Sequence, residues 1–243
     1  MIITAHQPSY LPWLGYFHKL ALSDVFIHLD QVQFEKNSFI NRNKIITSSG
    51  PIWLTVPVKH KKHFEKEIKE IEINNELDWK KKHWKSIYYN YKSAPYFHLY
   101  SDFFEDAYNR EWCYISELNI YLCEKIIDLL GISANIKEMS KEKITGKKND
   151  LILNICSSFD AEIFIFGKQG ADYADQSLFK KNRIQTYFQN YNHPKYNQVN
   201  NNGFTPYMSI IDLLFNEGPN TLDILMSSNI SRDQLNMFKE LED

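Results

Sequence analysis

The first thirty residues constrain the fold of this chain most. Residues 2–5 are a short apolar run that stops at a His6-Gln7-Pro8 turn. Residues 14–22 then carry Leu14, Phe17, Leu20 and Ala21 at helical spacing, and residues 25–29 are again rich in apolar and β-branched side chains. Strand, loop, helix and strand in so short a span predict the opening of a parallel βαβ unit, because parallel strands need a crossover between them. Ligands of such units gather outside the carboxyl ends of the strands. His6 follows the first strand and Asp30 the second, so this topology would bring both to one rim.

The rest of the chain extends the expectation to an α/β protein with a Rossmann-like, mostly parallel sheet and flanking helices, one domain spanning 1–243. Residues 52–58 predict a strand near a sheet edge, since Pro57 has no N–H to give to a ladder. Ile68, Ile71 and Ile73 predict another. Residues 79–91, 97–108 and 112–130 predict three helices; Ala94-Pro95 stops the first and Gly131 ends the last. Together they form an aromatic-rich helical insertion at 79–131. Residues 141–149 read as a basic linker, 150–159 as a helix, 162–166 and 184–188 as strands, 191–204 as a polar loop and 207–216 as a helix.

Composition removes several function classes. The net charge is -2, so no global field draws the chain to nucleic acid or to an anionic membrane. No run approaches the roughly 20 apolar residues of a membrane-spanning helix. The first residues lack the basic segment and long apolar run of a signal peptide, which predicts a cytoplasmic protein. Cys113, Cys123 and Cys156 are widely spaced and contain no CxxC pair, so reduced thiols are expected rather than a zinc site. His60-Lys61-Lys62-His63 has ligand-like spacing, but its lysines would repel a cation and read, with Lys80-Lys81-Lys82, as a solvated face. No metal site is expected.

The candidate catalytic residues are His6 and Asp30. An imidazole titrates near neutrality and can pass a proton in either direction. Asp30 could orient His6 or serve as a base toward an amine. Gln7 would anchor a polar substrate atom, while Pro8 and Pro12 stiffen the turn. Tyr10, Trp13 and Tyr16 form either a stacking wall for a sugar or base, or an apolar plug over the sheet. Gln33, Asn41, Arg42 and Lys44 make a polar cluster after the second strand, with Arg42 offering a bidentate fork for phosphate or carboxylate. Gly167-Lys168-Gln169-Gly170 follows a predicted strand, where phosphate-cradling turns occur, although it matches neither a Walker nor a dinucleotide fingerprint. Lys168 and Tyr173 would share that rim. Tyr196 and Gln198, in a loop, read as substrate contacts; Ser209 and Asp212 read as the structural start of a helix.

Long motifs carry a resemblance. The opening His6-Gln7-Pro8-Ser9-Tyr10-Leu11-Pro12-Trp13-Leu14-Gly15-Tyr16-Phe17-His18-Lys19 resembles the signature of the WbqC-like family. So do Asp30-Gln31-Val32-Gln33-Phe34, Asn41-Arg42-Asn43-Lys44-Ile45, Trp53-Leu54-Thr55-Val56-Pro57-Val58 and the block from Phe204 to Asn216. The resemblance implies a place in O-antigen, capsule or related surface-polysaccharide synthesis, and aminoacyl transfer onto amino sugars. A more distant similarity, in the order of strand, His-containing loop and Gly-led helix, is to the HIGH-motif nucleotidyltransferases such as pantothenate synthetase. There, histidines at a helix N-terminus steady the phosphates of ATP. Here Trp13-Leu14-Gly15-Tyr16 stands where HxGH would be, without either histidine, and His6 would have to serve from an earlier position.

These readings lead to a transferase that moves an acyl or aminoacyl group to the amine of a nucleotide-linked amino sugar. The competing expectations are a non-catalytic sugar-nucleotide-binding or assembly protein, and an adenylate-forming nucleotidyltransferase or amide ligase. The cofactor is left open: an adenylate, coenzyme A and a charged carrier are all compatible with the residues.

Overall fold

Alternation in the first strand decides which way the molecule is layered. We describe a computed structural model covering residues 1–59, 65–199 and 203–240; the tract at residues 60–63 lies outside the described residues. Ile3 and Ala5 of β1 (Ile2–His6) point to one face of the sheet, where they pack with residues from β2 (Val25–His28) and from α6 (Lys148–Ser158). Thr4 and His6 alternate to the other face, which α1 (Leu14–Ala21) covers. Phe26 of β2 lies on that second face and meets Tyr16 of α1 at 5.2 Å between rings.

Five parallel strands make the main sheet in the order β5-β2-β1-β6-β7, with β5 at Asn135–Glu138, β6 at Ile163–Phe166 and β7 at Gln185–Phe188. Apolar residues fill the three inner strands, as strands covered on both faces require. β3 (Arg42–Thr47) and β4 (Gly50–Thr55) form a separate antiparallel hairpin. The aromatic helices follow it: α2 (Trp79–Tyr91), α3 (Phe97–Asn109) and α4 (Ile115–Leu130). Their largest core joins α1, β3 and the C-terminal helix α8 (Ile210–Glu217); Phe215 lies 5.2 Å from Tyr91 and 5.3 Å from Phe104. Short helices α5 (Met139–Glu142) and α7 (Gln176–Lys181) edge the sheet, and α9 (Thr221–Met226) and α10 (Arg232–Glu240) end the described chain. None of the helices in the described residues is long and apolar enough to cross a membrane.

Three local expectations are corrected. Ile68, Ile71 and Ile73 are buried but form no strand; Ile68–Glu70 is a 3-10 turn, followed only by isolated pairings of Glu72 with Tyr114 and Ile73 with Val58. Ile68 and Ile71 are three positions apart, which breaks the two-residue alternation of a strand. The strand expected at 52–58 ends at Thr55, ahead of Pro57. The C-terminal helix starts at Ile210 rather than 207, because Ser209 Oγ accepts from Ile211 N–H and fixes the cap there.

Candidate active site

The sheet order reverses at β1. From β1 the chain steps outward to β2 and β5, then returns to β6 on the other side and continues to β7. The carboxyl ends of β1 and β6 therefore frame the switch-point crevice where open α/β sheets bind ligands. Two turns leave the sheet there: His6-Gln7-Pro8 after β1 and Gly167-Lys168 after β6. Gly170 in the second turn is needed for packing, since a Cβ on it would sit 2.5 Å from the Cβ of Phe166. Lys168 is exposed, and Tyr173 is 60% exposed with its ring 6.2 Å from that of Phe166.

His6 is half-buried, with its ring packed edge-on against Trp13 at 5.3 Å and Tyr16 at 5.0 Å. Its Nδ1 lies 3.1 Å from the carbonyl of Gln7. A carbonyl only accepts, so Nδ1 carries the proton and Nε2 keeps a lone pair. Burial, then the nearby charge of Lys19, pushes the imidazole down to about 3, so it is uncharged at neutral pH. The Gln7 side chain has no hydrogen-bond partner among the described residues.

Two further basic groups stand on the same sheet face, and the sequence reading passed over both. Lys19 of α1 is 3% exposed and donates from Nζ to the carbonyl of Ala5 at 3.0 Å. Burial lowers its ammonium to about 7. His28 ends β2, directly in register with His6, and is fully enclosed; neither ring nitrogen has a partner among the described residues. Burial lowers it to about 3. An unmet buried polar group costs about 1–3 kcal/mol, so this arrangement needs a reason. A lysine in a helix reads as surface and a histidine in a strand reads as core. Only the strand register shows that they belong with His6.

The loop that carries His6 is held from several sides. Asn119 of α4 donates to the carbonyls of Pro8 and Ile40 at 3.1 and 2.8 Å, and Asn43 donates to that of Leu11 at 2.6 Å. Gln189, after β7, donates to the carbonyl of Gly15 at 2.9 Å and to His18 Nδ1 at 2.8 Å. Trp13 pairs with Ser209 through an isolated bridge. Leu11 and Tyr207, each two residues before a bridge partner, both have positive φ (42° and 64°), an unusual conformation for bulky residues. Side chains fixed this firmly are suited to orienting a reactant.

From Trp13 an aromatic path leads outward: Phe39 at 5.0 Å, then Trp53 at 6.0 Å from Phe39. Phe39 and Trp53 are 42% and 45% exposed. The Arg42 guanidinium stacks 4.4 Å above the Trp53 ring, with Lys44 Nζ at 5.5 Å. Among the described residues neither cation meets a carboxylate and buried Arg42 Nε has no partner.

The remaining expected contacts lie elsewhere. Tyr10 is fully buried, its hydroxyl bonded to Tyr108 and, at 2.9 Å, to His83; it belongs to the core rather than to a stacking wall. Asn41 is buried and donates to the Val56 carbonyl at 3.0 Å. Asp30 sits at the carboxyl edge as the topology demands, but its carboxylate accepts from the hydroxyl of Ser140 and from the Ser140 N–H at 3.0 Å. It lines a separate cleft of about 750 Å³ with Glu138, Lys69 and Lys141. Gln33 is exposed and pairs by its backbone with Glu67. Tyr196 and Gln198 both donate to buried Asp212, at 2.7 and 2.6 Å, as does Tyr91 at 2.7 Å. The loop position of Tyr196 and Gln198 hid this inward use. No cluster of three metal-ligating side chains occurs among the described residues.

The sequence model of the WbqC-like protein family matches residues 7–224. The chain belongs to the WbqC-like family. An uncharacterized protein of Mycobacterium tuberculosis is 35% identical to it over 221 residues, covering 90% of this chain and 95% of the relative. The match to the WbqC-like family thus spans the switch-point turns, the β3–β4 hairpin and the C-terminal block that braces Trp13.

Proposed function

We propose that this WbqC-like protein is a cytoplasmic transferase of surface-polysaccharide synthesis, which moves an acyl or aminoacyl group onto the amine of a nucleotide-linked amino sugar. One observation carries the reading: the step from β1 to β6 places an imidazole with an unprotonated Nε2 next to a turn with an exposed lysine. Acyl transfer needs such a group. The amine nitrogen attacks the acyl carbonyl carbon, the amine loses a proton to a base, and the carrier leaves with the electron pair of the broken bond. His6 supplies the lone pair for the proton. The Gln7 amide supplies a donor for the developing oxyanion.

The exposed rings and unpaired cations of the hairpin suit the rest of such a substrate. A planar base or sugar face stacks on Phe39 and Trp53, and Arg42, Lys44 and Lys168 meet its pyrophosphate. Calorimetric titration with UDP- and dTDP-linked amino sugars tests this directly. Arg42→Ala is expected to weaken binding by about 1.5–3 kcal/mol, the worth of a charge-assisted hydrogen bond. Equal affinities of wild type and variant would remove Arg42 from the phosphate role, and absence of binding by every such sugar would remove the substrate class.

A further inference from the structure

Three groups that can carry positive charge, His6, Lys19 and His28, share the α1-covered face of the sheet at the ends of β1 and β2. None of them hydrogen-bonds a carboxylate among the described residues. The acids that come near are already engaged. Glu138, the neighbour of His28 across β5, binds Lys141 at 2.6 Å, and Asp30 binds Ser140. On α1 itself, His18 is turned away to Gln189 and to the carbonyl of Ile230. From α4, Cys123 faces the hydroxyl of Tyr16. Lys19 has a backbone carbonyl as its acceptor, and His28 has no partner among the described residues although fully enclosed. A buried lysine with only a backbone carbonyl as acceptor stands beside an uncharged, orphaned imidazole, and no anionic group among the described residues answers either.

We infer that the carboxyl ends of β1 and β2 form a buried site for a phosphate-class anion, with Lys19 as its counter-charge beneath His6. Lys19 is the cation of the crevice that water screens least, whereas Arg42, Lys44 and Lys168 reach the ligand from the rim. The site has a consequence for the base. Burial, and after it the charge of Lys19, hold the His6 imidazole low, and an anion paired with Lys19 cancels the second of these. Entry of the phosphate therefore makes His6 a stronger base at the moment the amine arrives.

The inference rests on reading the crevice as a nucleotide-sugar site, but its test needs neither amino sugar nor acyl donor, so the two can fail separately. Inorganic pyrophosphate and UDP are titrated calorimetrically into the full chain at pH 7.5, in two buffers of different ionisation enthalpy. An anion beside an ammonium that titrates at about 7 raises its proton affinity, so binding should take up protons from the buffer. Lys19→Met and Lys19→Gln, checked by melting to be as stable as the wild type or more so, should lose the proton uptake and at least ten-fold in affinity. Arg42→Ala should lose affinity and keep the uptake, because a guanidinium does not titrate there. Equal binding of pyrophosphate and UDP assigns the site to phosphate alone; tighter UDP adds the nucleoside. Wild-type affinity with unchanged proton uptake in both Lys19 variants would overturn the inference, as would absence of binding by both probes.

Discussion

Two polar clusters in this protein are satisfied to opposite degrees. Around Asp212, Tyr91, Tyr196 and Gln198 all donate to one buried carboxylate. Around His6, the lone pair of Nε2, the Gln7 amide and both nitrogens of His28 have no protein partner among the described residues. Completed networks fix structure. Incomplete ones cost free energy, and a sequence that keeps them holds partners ready for something else. On the proposed function, Asp212 belongs to the fold and His6 to the chemistry.

Acid should expose the second cluster most strongly. His6 and His28 are lowered to about 3 and His83 to about 4, all by burial, against a usual imidazole near 6.5. The unfolded chain therefore binds more protons below pH 6.5, and stability present above that value is lost as pH falls toward the folded values. With all three engaged the slope is about 4 kcal/mol per pH unit. Urea unfolding at pH 7, 6 and 5 should show this fall; a flat profile would mean that the imidazoles are solvated.

Asp212→Ala comes next. It strands the buried hydroxyls of Tyr91 and Tyr196 at about 1–3 kcal/mol each and takes one acceptor from the half-buried Gln198 amide, so a loss of roughly 3 kcal/mol or more is expected in the same assay. A loss below 1 kcal/mol would dissolve the contrast between the clusters.

Lys19→Met should do the reverse and stabilise the protein at pH 7. Replacing a buried charge by a well-packed apolar side chain of similar volume often gains about 1–4 kcal/mol. The ammonium is lowered to about 7 from 10.5, so its penalty is complete below pH 7 and disappears as pH rises to 10.5. The gap between variant and wild type should close over that range. A destabilised variant would make Lys19 a structural donor to Ala5.

Tyr196→Phe, which removes one of three donors to Asp212, should cost about 1 kcal/mol. No cost would show that Tyr91 and Gln198 suffice.

Much of the fold was legible because its elements have strong periods. The opening strand and helix and the span of α2 come directly from their apolar spacing and stop signals. β5 was missed because Asn135-Ile136-Lys137-Glu138 has one apolar residue and sits at a sheet edge, where a strand needs no apolar run. The hairpin strand β3 was hidden by its polar first half, Arg42-Asn43-Lys44. Residue type singled out His6, Gln7, Trp13 and Arg42 as candidates. It misplaced Tyr10, Tyr196 and Gln198, whose polar tips are bonded inside the protein. Asn43 and Asn119, which clamp the loop, are long-range in sequence and carry no local signal.

The central claim is that the unpaired crevice works on substrate while the paired network only holds the fold. The most direct measurement compares His6→Ala with Asp212→Asn, following transfer onto a UDP- or dTDP-linked amino sugar together with thermal melting. His6→Ala should lose about 10²–10⁴-fold in rate, the usual worth of a general acid–base group, and melt near wild type. Asp212→Asn should melt lower and keep its rate per folded molecule. A His6→Ala protein that melts several degrees lower and turns over at the wild-type rate would contradict the account.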